Sequence, residues 1–345
     1  MKKIVCTLFA FISITCCLAQ QSPTYTQYIL NNFLINPAVA GMDNYTDIKA
    51  SHRIQWVGLQ DAPITTYLTV NGPVKRKLYD VDRETPTSVY PSGRNPMLGG
   101  DSYQPPDEHS GIGLAILNDA TGPLNRFSLT GAYSYHVNLT RTSNLALGVS
   151  AGFSQMSINA NKLNFATSGD PAVSTSTSGI INKLNPDLSI GLFLYSKNYF
   201  IGLAANQLIP TNIYFSSYSS QSPQLTTKGT VTPNIFAQAG FKMAINEDLV
   251  LLPSTLIKYI QPLPISFDIN AKLDYQNQMW MGASYRYQDG FAAMLGINLN
   301  YCINLGYSYS YTTSALNAFS YGTHEILLGF LIGNRYNDYY PRNAW

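Results

Sequence analysis

Charge is what this 345-residue chain has least of: Asp, Glu, Lys and Arg make up 12% of it, about half of the ~25% usual in a soluble domain. A soluble fold keeps a charged exterior, so the shortage argues against one. The 21 basic and 19 acidic residues nearly cancel, which gives no steer toward nucleic acid. After the N-terminal run, no segment offers the ~20 consecutive apolar residues of a membrane-spanning helix. Cysteine is scarce: Cys6, Cys16 and Cys17 sit at the start, and beyond them only Cys302 remains. One mature cysteine excludes an intrachain disulfide. His52, His109, His136 and His324 show no metal-ligand spacing with one another or with a cysteine. There is no Gly-x-Ser-x-Gly elbow, P-loop or Gly-x-Gly-x-x-Gly fingerprint. No catalytic, cofactor or metal residue is therefore assigned.

In place of charge stand 25 Tyr, 15 Phe and 25 Gly, with much Ser, Thr and Asn. A barrel in lipid needs an apolar exterior and can use uncharged polar groups inside; composition alone also allows a secreted β-sandwich. The N-terminus settles export. Lys2 and Lys3 precede an apolar run from Ile4 to Cys17, and Cys17-Leu18-Ala19 forms a small-residue cleavage site before Gln20. Residues 1–19 read as a cleaved signal peptide, too short to span a bilayer. Cys16 and Cys17 raise lipidation, but Ser13-Ile14-Thr15 lacks the lipoprotein pattern.

Period-2 alternation separates barrel from sandwich. Ile265, Phe267, Ile269, Ala271, Leu273 and Tyr275 alternate with Ser266, Asp268, Asn270, Lys272 and Asp274, one oily wall and one hydrated wall. Tyr301 to Tyr311 repeats the scheme, as do Phe127 to Val137 and Leu145 to Phe153. A sandwich would carry Lys and Glu on its outer face; here the polar face is Ser, Asn and Gly with a few charges, which suits a lumen. The chain is thus expected to be all-β, a transmembrane antiparallel barrel of about 14 strands in the outer membrane. Its strands fall near 45–56, 63–72, 110–118, 125–138, 143–156, 186–196, 198–207, 232–243, 248–260, 264–275, 278–288, 290–298, 300–312 and 322–333. With a periplasmic N-terminus, the short turns at 196–198, 246–248, 276–278 and 299–300 lie inside, and the long connections 157–185, 208–231 and 313–321 lie outside. Asp268, Asn270, Lys272, Asp274, Arg286 and Glu325 are the candidate polar lining. Ser134 and His136 share a strand face, but lumenal residues do this by default, and a hydrolase also needs a converging acid.

The barrel is placed at 45–335, with residues 20–44 before it and a tail at 336–345. Residues 75–108 form a polar, Pro-rich insertion with Lys75-Arg76-Lys77 and Asp80-Val81-Asp82-Arg83-Glu84; parity puts it in the periplasm. It reads either as a disordered insertion or as a tether to a periplasmic partner. In 20–44, Tyr28, Ile29, Leu30, Phe33, Leu34 and Ile35 form an apolar cluster too short to span. This segment either enters the barrel and plugs the lumen or packs under its rim.

Particular residues say more. Gln27-Tyr28, then Asn36-Pro37-Ala38 and Gly41, precede the first strand. Arg53 to Gly58 with Ala62-Pro63-Ile64-Thr65 follow, then Asn118-Asp119, Asn185-Pro186-Asp187, Trp280 to Arg286, Gly306 to Tyr309, and His324-Glu325-Ile326. In this order, over nearly the whole mature chain, they closely resemble the PorP/SprF family of type IX secretion system membrane proteins. The resemblance implies an outer-membrane barrel of the bacterial phylum that uses type IX secretion, often with gliding motility. It also implies a periplasmic ring-forming partner, or help in secreting and anchoring a large surface adhesin. Compact members lack the 75–108 insertion and the tail, which leaves the partner of this copy open.

Two functions compete: a non-enzymatic docking subunit of that machinery, held in outer-membrane lipid, and a channel for small or hydrophobic solutes. A channel predicts conductance; a docking subunit predicts a closed lumen and co-purifying proteins. A hydrolase is a remote third.

Overall fold

Hydrocarbon offers no partner to a backbone N–H or C=O, so a sheet that spans a membrane must pair every strand on both edges. The structure, a computed structural model describing residues 25–74, 108–140, 142–159, 162, 180–213, 229–246, 248–299 and 302–333, meets that demand by closure. Fourteen strands follow in chain order: β1 Thr46–Ile54, β2 Ile64–Pro73, β3 His109–Thr121, β4 Leu124–Asn138, β5 Ser143–Asn159, β6 Ile180–Ser196 and β7 Tyr199–Asn206. Then come β8 Asn234–Phe241, β9 Leu249–Ile260, β10 Ser266–Tyr275, β11 Met279–Arg286, β12 Gly290–Leu299, β13 Ile303–Thr312 and β14 Thr323–Ile332. Each pairs antiparallel with its neighbours, and β14 returns to β1 from Thr46↔Ile332 to Ile54↔His324. Met243–Ala244 prolongs β8 along β9. A separate two-stranded ribbon joins Thr211–Ile213 to Gly229–Val231.

The fourteen expected strands are all present, and the differences lie in their ends. β5 and β6 run 17 residues each, where ~9–11 suffice to cross a bilayer. Pairing such as Ser157↔Asn182 carries this wall beyond the membrane at the end where 160–179 connects the two strands. That end also bears the connections 55–63, 122–123, 207–233, 261–265, 287–289 and 313–322; we call it the loop end. The opposite, terminal end holds Thr46, Ile332 and tight turns. At the β10–β11 turn, Gln276 and Asn277 both have positive φ, 50° and 54°, the geometry that matches a hairpin's own twist. Pro73 and His109 both fall at the terminal end, so 75–108 departs from and returns to it; the insertion itself, the signal peptide 1–19 and the tail 336–345 lie outside the described residues.

Alternation sorts the faces. Ile269 is 53% exposed and Met281 62%, while Asn270 and Asp274 are 1% exposed. A belt of Ile, Leu, Val and Tyr thus faces outward on every strand, inverted relative to a soluble core, and polar residues turn in. The chain crosses a membrane with these strands. Ile269 lies mid-strand on the outer face, so Ile269→Arg is expected to destabilise the barrel by about 2–4 kcal/mol. Urea unfolding in lipid vesicles measures this, and a near-zero cost would contradict the outward assignment.

Candidate functional site

The inner wall is not left bare. Residues 25–45 run along the lumen before β1 begins, in three short 3-10 turns, Gln27–Leu30, Asn32–Leu34 and Pro37–Val39. The sequence prescribes the last of these. Pro37 presets the helical φ at its first position, and Asn36 Oδ1 accepts from Ala38 N at 2.9 Å as its cap. Gly41, at φ 67°, then turns the chain toward β1 where any side chain would strike the Gly111 backbone. Gln27, Asn36, Ala38 and Ala40 are fully buried.

The segment's bonds go to strands all round the barrel. Gln27 Nε2 donates to Glu325 O on β14 at 2.8 Å. Tyr28 Oη accepts from Asn270 on β10 at 2.6 Å, and burial raises this hydroxyl's pKa above its ordinary range. Asn31 Nδ2 donates to Thr69 on β2 at 2.8 Å. Asn36 Nδ2 donates to Leu192 O on β6 at 3.0 Å and to Leu203 O on β7 at 3.2 Å. Asn206 Nδ2 donates to Ile35 O at 2.9 Å.

Glycines on the inner wall make the room. A Cβ at Gly191 would collide with Asn36, at Gly148 with Ala38, at Gly111 with Ala40 and at Gly113 with Phe33. Facing apolar groups complete the fit. Phe33, Ala38 and Val39 join Ala146, Phe193, Tyr195 and Phe200 in one cluster, and Tyr28, Ile29 and Ile35 join Leu256, Trp280 and Met294 in another.

Glu325, fully buried, accepts from Thr26 N at 2.9 Å, Gln27 N at 3.4 Å and Ser51 Oγ at 3.3 Å. Charge-assisted acceptance of backbone N–H groups is stronger than a neutral bond, so this carboxylate anchors the start of the segment. The other expected polar residues also face inward, but as ion pairs of the wall. Arg286 meets Asp268 at 3.2 Å and Asp289 at 2.8 Å, and Lys272 meets Asp274 at 3.7 Å. Arg286 also reaches Tyr25 O at 3.5 Å. Gln27, Tyr28, Asn36, Pro37, Ala38 and Gly41 are brought together in the lumen with Asn270 and Glu325, while Lys272 and Asp274 stand apart near the terminal end.

Ser134 and His136 do come together, 3.2 Å apart, but around a carbonyl of the chain itself. Ser134 Oγ donates to Ala40 O, and His136 Nε2 donates to it at 2.9 Å. With Nε2 as donor, His136 Nδ1 accepts from Tyr195 Oη at 3.0 Å rather than facing a carboxylate. His109 stacks on His136 at 4.5 Å and donates to Gly41 O at 3.0 Å. The imidazoles clamp the segment where it leaves the lumen.

Sequence reasoning missed the inward apolar residues Phe193, Tyr195, Leu252, Trp280 and Met294. A signal existed: Leu192-Phe193-Leu194-Tyr195 and Leu249-Val250-Leu251-Leu252 are apolar at both parities, so their inner members need an apolar partner inside the barrel. Two adjoining chambers of about 170 and 560 Å³ open in the barrel, the smaller walled in part by the segment from Tyr25 to Pro37, and they share Lys258, Ser266 and Arg286.

A closed fourteen-stranded barrel with an apolar belt and its own N-terminal segment against the inner wall defines a bacterial outer-membrane protein. Residues 17–330 match the family described as type IX secretion system membrane protein PorP/SprF. The chain belongs to that family and is an outer-membrane component of type IX secretion. No curated protein matches it significantly. Among solved structures it is similar to the Ralstonia pickettii toluene transporter TbuX (TM-score 0.48, 9% identity, 86% of this chain and 92% of that one). It is also similar to the Acinetobacter baumannii outer membrane protein Omp33 (TM-score 0.46, 8% identity, 85% and 100%), and to the translocator domain of the autotransporter NalP from Neisseria meningitidis (TM-score 0.40, 11% identity, 88% and 91%).

Asn36→Ala removes two bonds to strand carbonyls and the cap on Ala38, and is expected to cost about 1–3 kcal/mol. Gly191→Val is expected to displace the segment outright. Limited proteolysis of the detergent-purified protein should then cut within 25–43; protection equal to wild type in both variants would show that the segment is held elsewhere.

Proposed function

We propose that the chain is a non-catalytic docking subunit whose lumen is plugged by residues 20–44, and whose work is done at its two ends. The observation that supports this is the bonding of Tyr28, Asn31 and Asn36 to β10, β2, β6 and β7 at once. A barrel so closed serves secretion by holding other proteins. The terminal end, from which 75–108 departs, faces the periplasm in this reading, and that insertion tethers the barrel to a periplasmic ring protein. The loop end meets a large surface adhesin during its secretion or anchoring, as in gliding motility. Asp268, Asn270, Lys272, Asp274, Arg286 and Glu325 act as a structural lining that seats the plug, not as pore selectivity groups.

Two measurements test the proposal. In planar bilayers the full mature chain is expected to stay closed, while deletion of 22–41 opens a steady conductance. Equal conductance from both would defeat the plug and favour a solute channel. In a mild-detergent pull-down from native membranes, ring components or a giant adhesin are expected to co-purify, and deleting 75–108 should release the periplasmic ones. Recovery of the barrel alone, from cells that secrete normally without it, would overturn the docking role.

A further inference from the structure

The two chambers beside the N-terminal segment are lined by charged residues, and several of these are committed. Asp268 and Asp289 hold Arg286. Asp119 accepts from Thr65, and Glu325 accepts from Thr26, Gln27 and Ser51. Arg53, on the wall of the larger chamber, is different. It is 4% exposed, and neither its Nε nor its Nη1 has a hydrogen-bond partner among the described residues. Arg126 lines the smaller chamber with its Nε equally unpartnered. Register sets both in one inward row, Arg53↔Thr65, Thr65↔Asp119 and Asp119↔Arg126. A buried guanidinium without a hydrogen-bond partner is poorly compensated for its lost hydration, and an anion in the chamber would supply that partner.

The lining says which kind of anion. Trp56, Pro63, Ile260 and Leu263 give the larger chamber apolar lining besides Arg53. The nearby carboxylates of Asp119 and Glu325 oppose a second negative charge. A group with one charge and a planar pair of oxygens matches the guanidinium fork. We infer that the loop-end chamber is a binding site for a small organic acid, its carboxylate held by Arg53 with Arg126 beside it and its apolar body against Trp56 and Leu263. This goes beyond the docking role and does not depend on it. Arg53 itself pairs in register with Glu325, which holds the start of the N-terminal segment.

Equilibrium dialysis of labelled benzoate against the full mature chain in detergent micelles, with empty micelles as the blank, tests the site. Saturable binding in the millimolar range is expected, absent for benzyl alcohol, which keeps the ring and lacks the charge. Arg53→Gln should weaken it by about tenfold or more, the loss of a charged hydrogen bond. Leu263→Trp narrows the chamber without touching a charge and should weaken it similarly, which covers the case of a misfolded Arg53 variant. No saturable benzoate binding, equal binding of the alcohol, or Leu263→Trp binding as wild type would each overturn the assignment.

Discussion

Everything in this molecule follows from the hydrogen bonds between β1 and β14. Nine residue pairs, Thr46↔Ile332 through Ile54↔His324, join the first strand to the last, and without them two strand edges would face hydrocarbon with each unmet group costing several kcal/mol. Closure decides where side chains go, since each strand then has one face for lipid and one for the lumen. It also decides where the N-terminus goes. Tyr45 and Asp43 are buried immediately before Thr46, so the chain that leads into β1 arrives from inside.

The lumen of a fourteen-stranded barrel is wider than strand side chains alone fill, unlike that of an eight-stranded one. Two devices seat the N-terminal segment against its wall. The inner wall is thinned by Gly111, Gly113, Gly148 and Gly191 where the segment's backbone and Phe33 approach. It is thickened by Phe193, Phe200, Trp280 and Met294 where the segment presents Phe33, Tyr28, Ile29 and Ile35. Burying four such side chains is worth roughly 6–12 kcal/mol in gross transfer terms, offset by the entropy of ordering some twenty residues. The polar bonds contribute less energy but fix position: Asn36 spans two strand carbonyls that an apolar residue of its size would leave buried and unmet.

How much of this was legible depends on which side of the pleat a residue faces. The strands and their count could be read because lipid imposes one rule on every outward position, as Ile265 to Tyr275 displays. The short turns could be read because Gln276-Asn277 and Lys197-Asn198 leave no length for anything else. The lumen could not, because its rule depends on what lies opposite across the barrel, and no local window contains that. Asn36 and Gly191 are 155 positions apart, yet one is the reason for the other. The family motif was visible as Asn-Pro-Ala, but its physical meaning, a capped turn with an amide bridging β6 and β7, required the fold. Arg53 and Arg126 likewise looked like ordinary strand residues until the register set them in one row.

That placement gives the N-terminal segment a second consequence. It lies along the lumen from the loop-end chambers, where Tyr25 O accepts from Arg286 and Thr26 N donates to Glu325, to the terminal rim, where Ala40 O and Gly41 O accept from His136 and His109. The barrel wall is a rigid ladder of paired strands and has little capacity to carry a displacement along its axis. The segment of short 3-10 turns is instead held by separate contacts at each level. Coupling between the two ends would require the segment to have two arrangements that a partner at either end biases differently. A carboxylate holds it at one end and two imidazoles at the other, with the bonds of Tyr28, Asn31 and Asn36 to β10, β2, β6 and β7 between them.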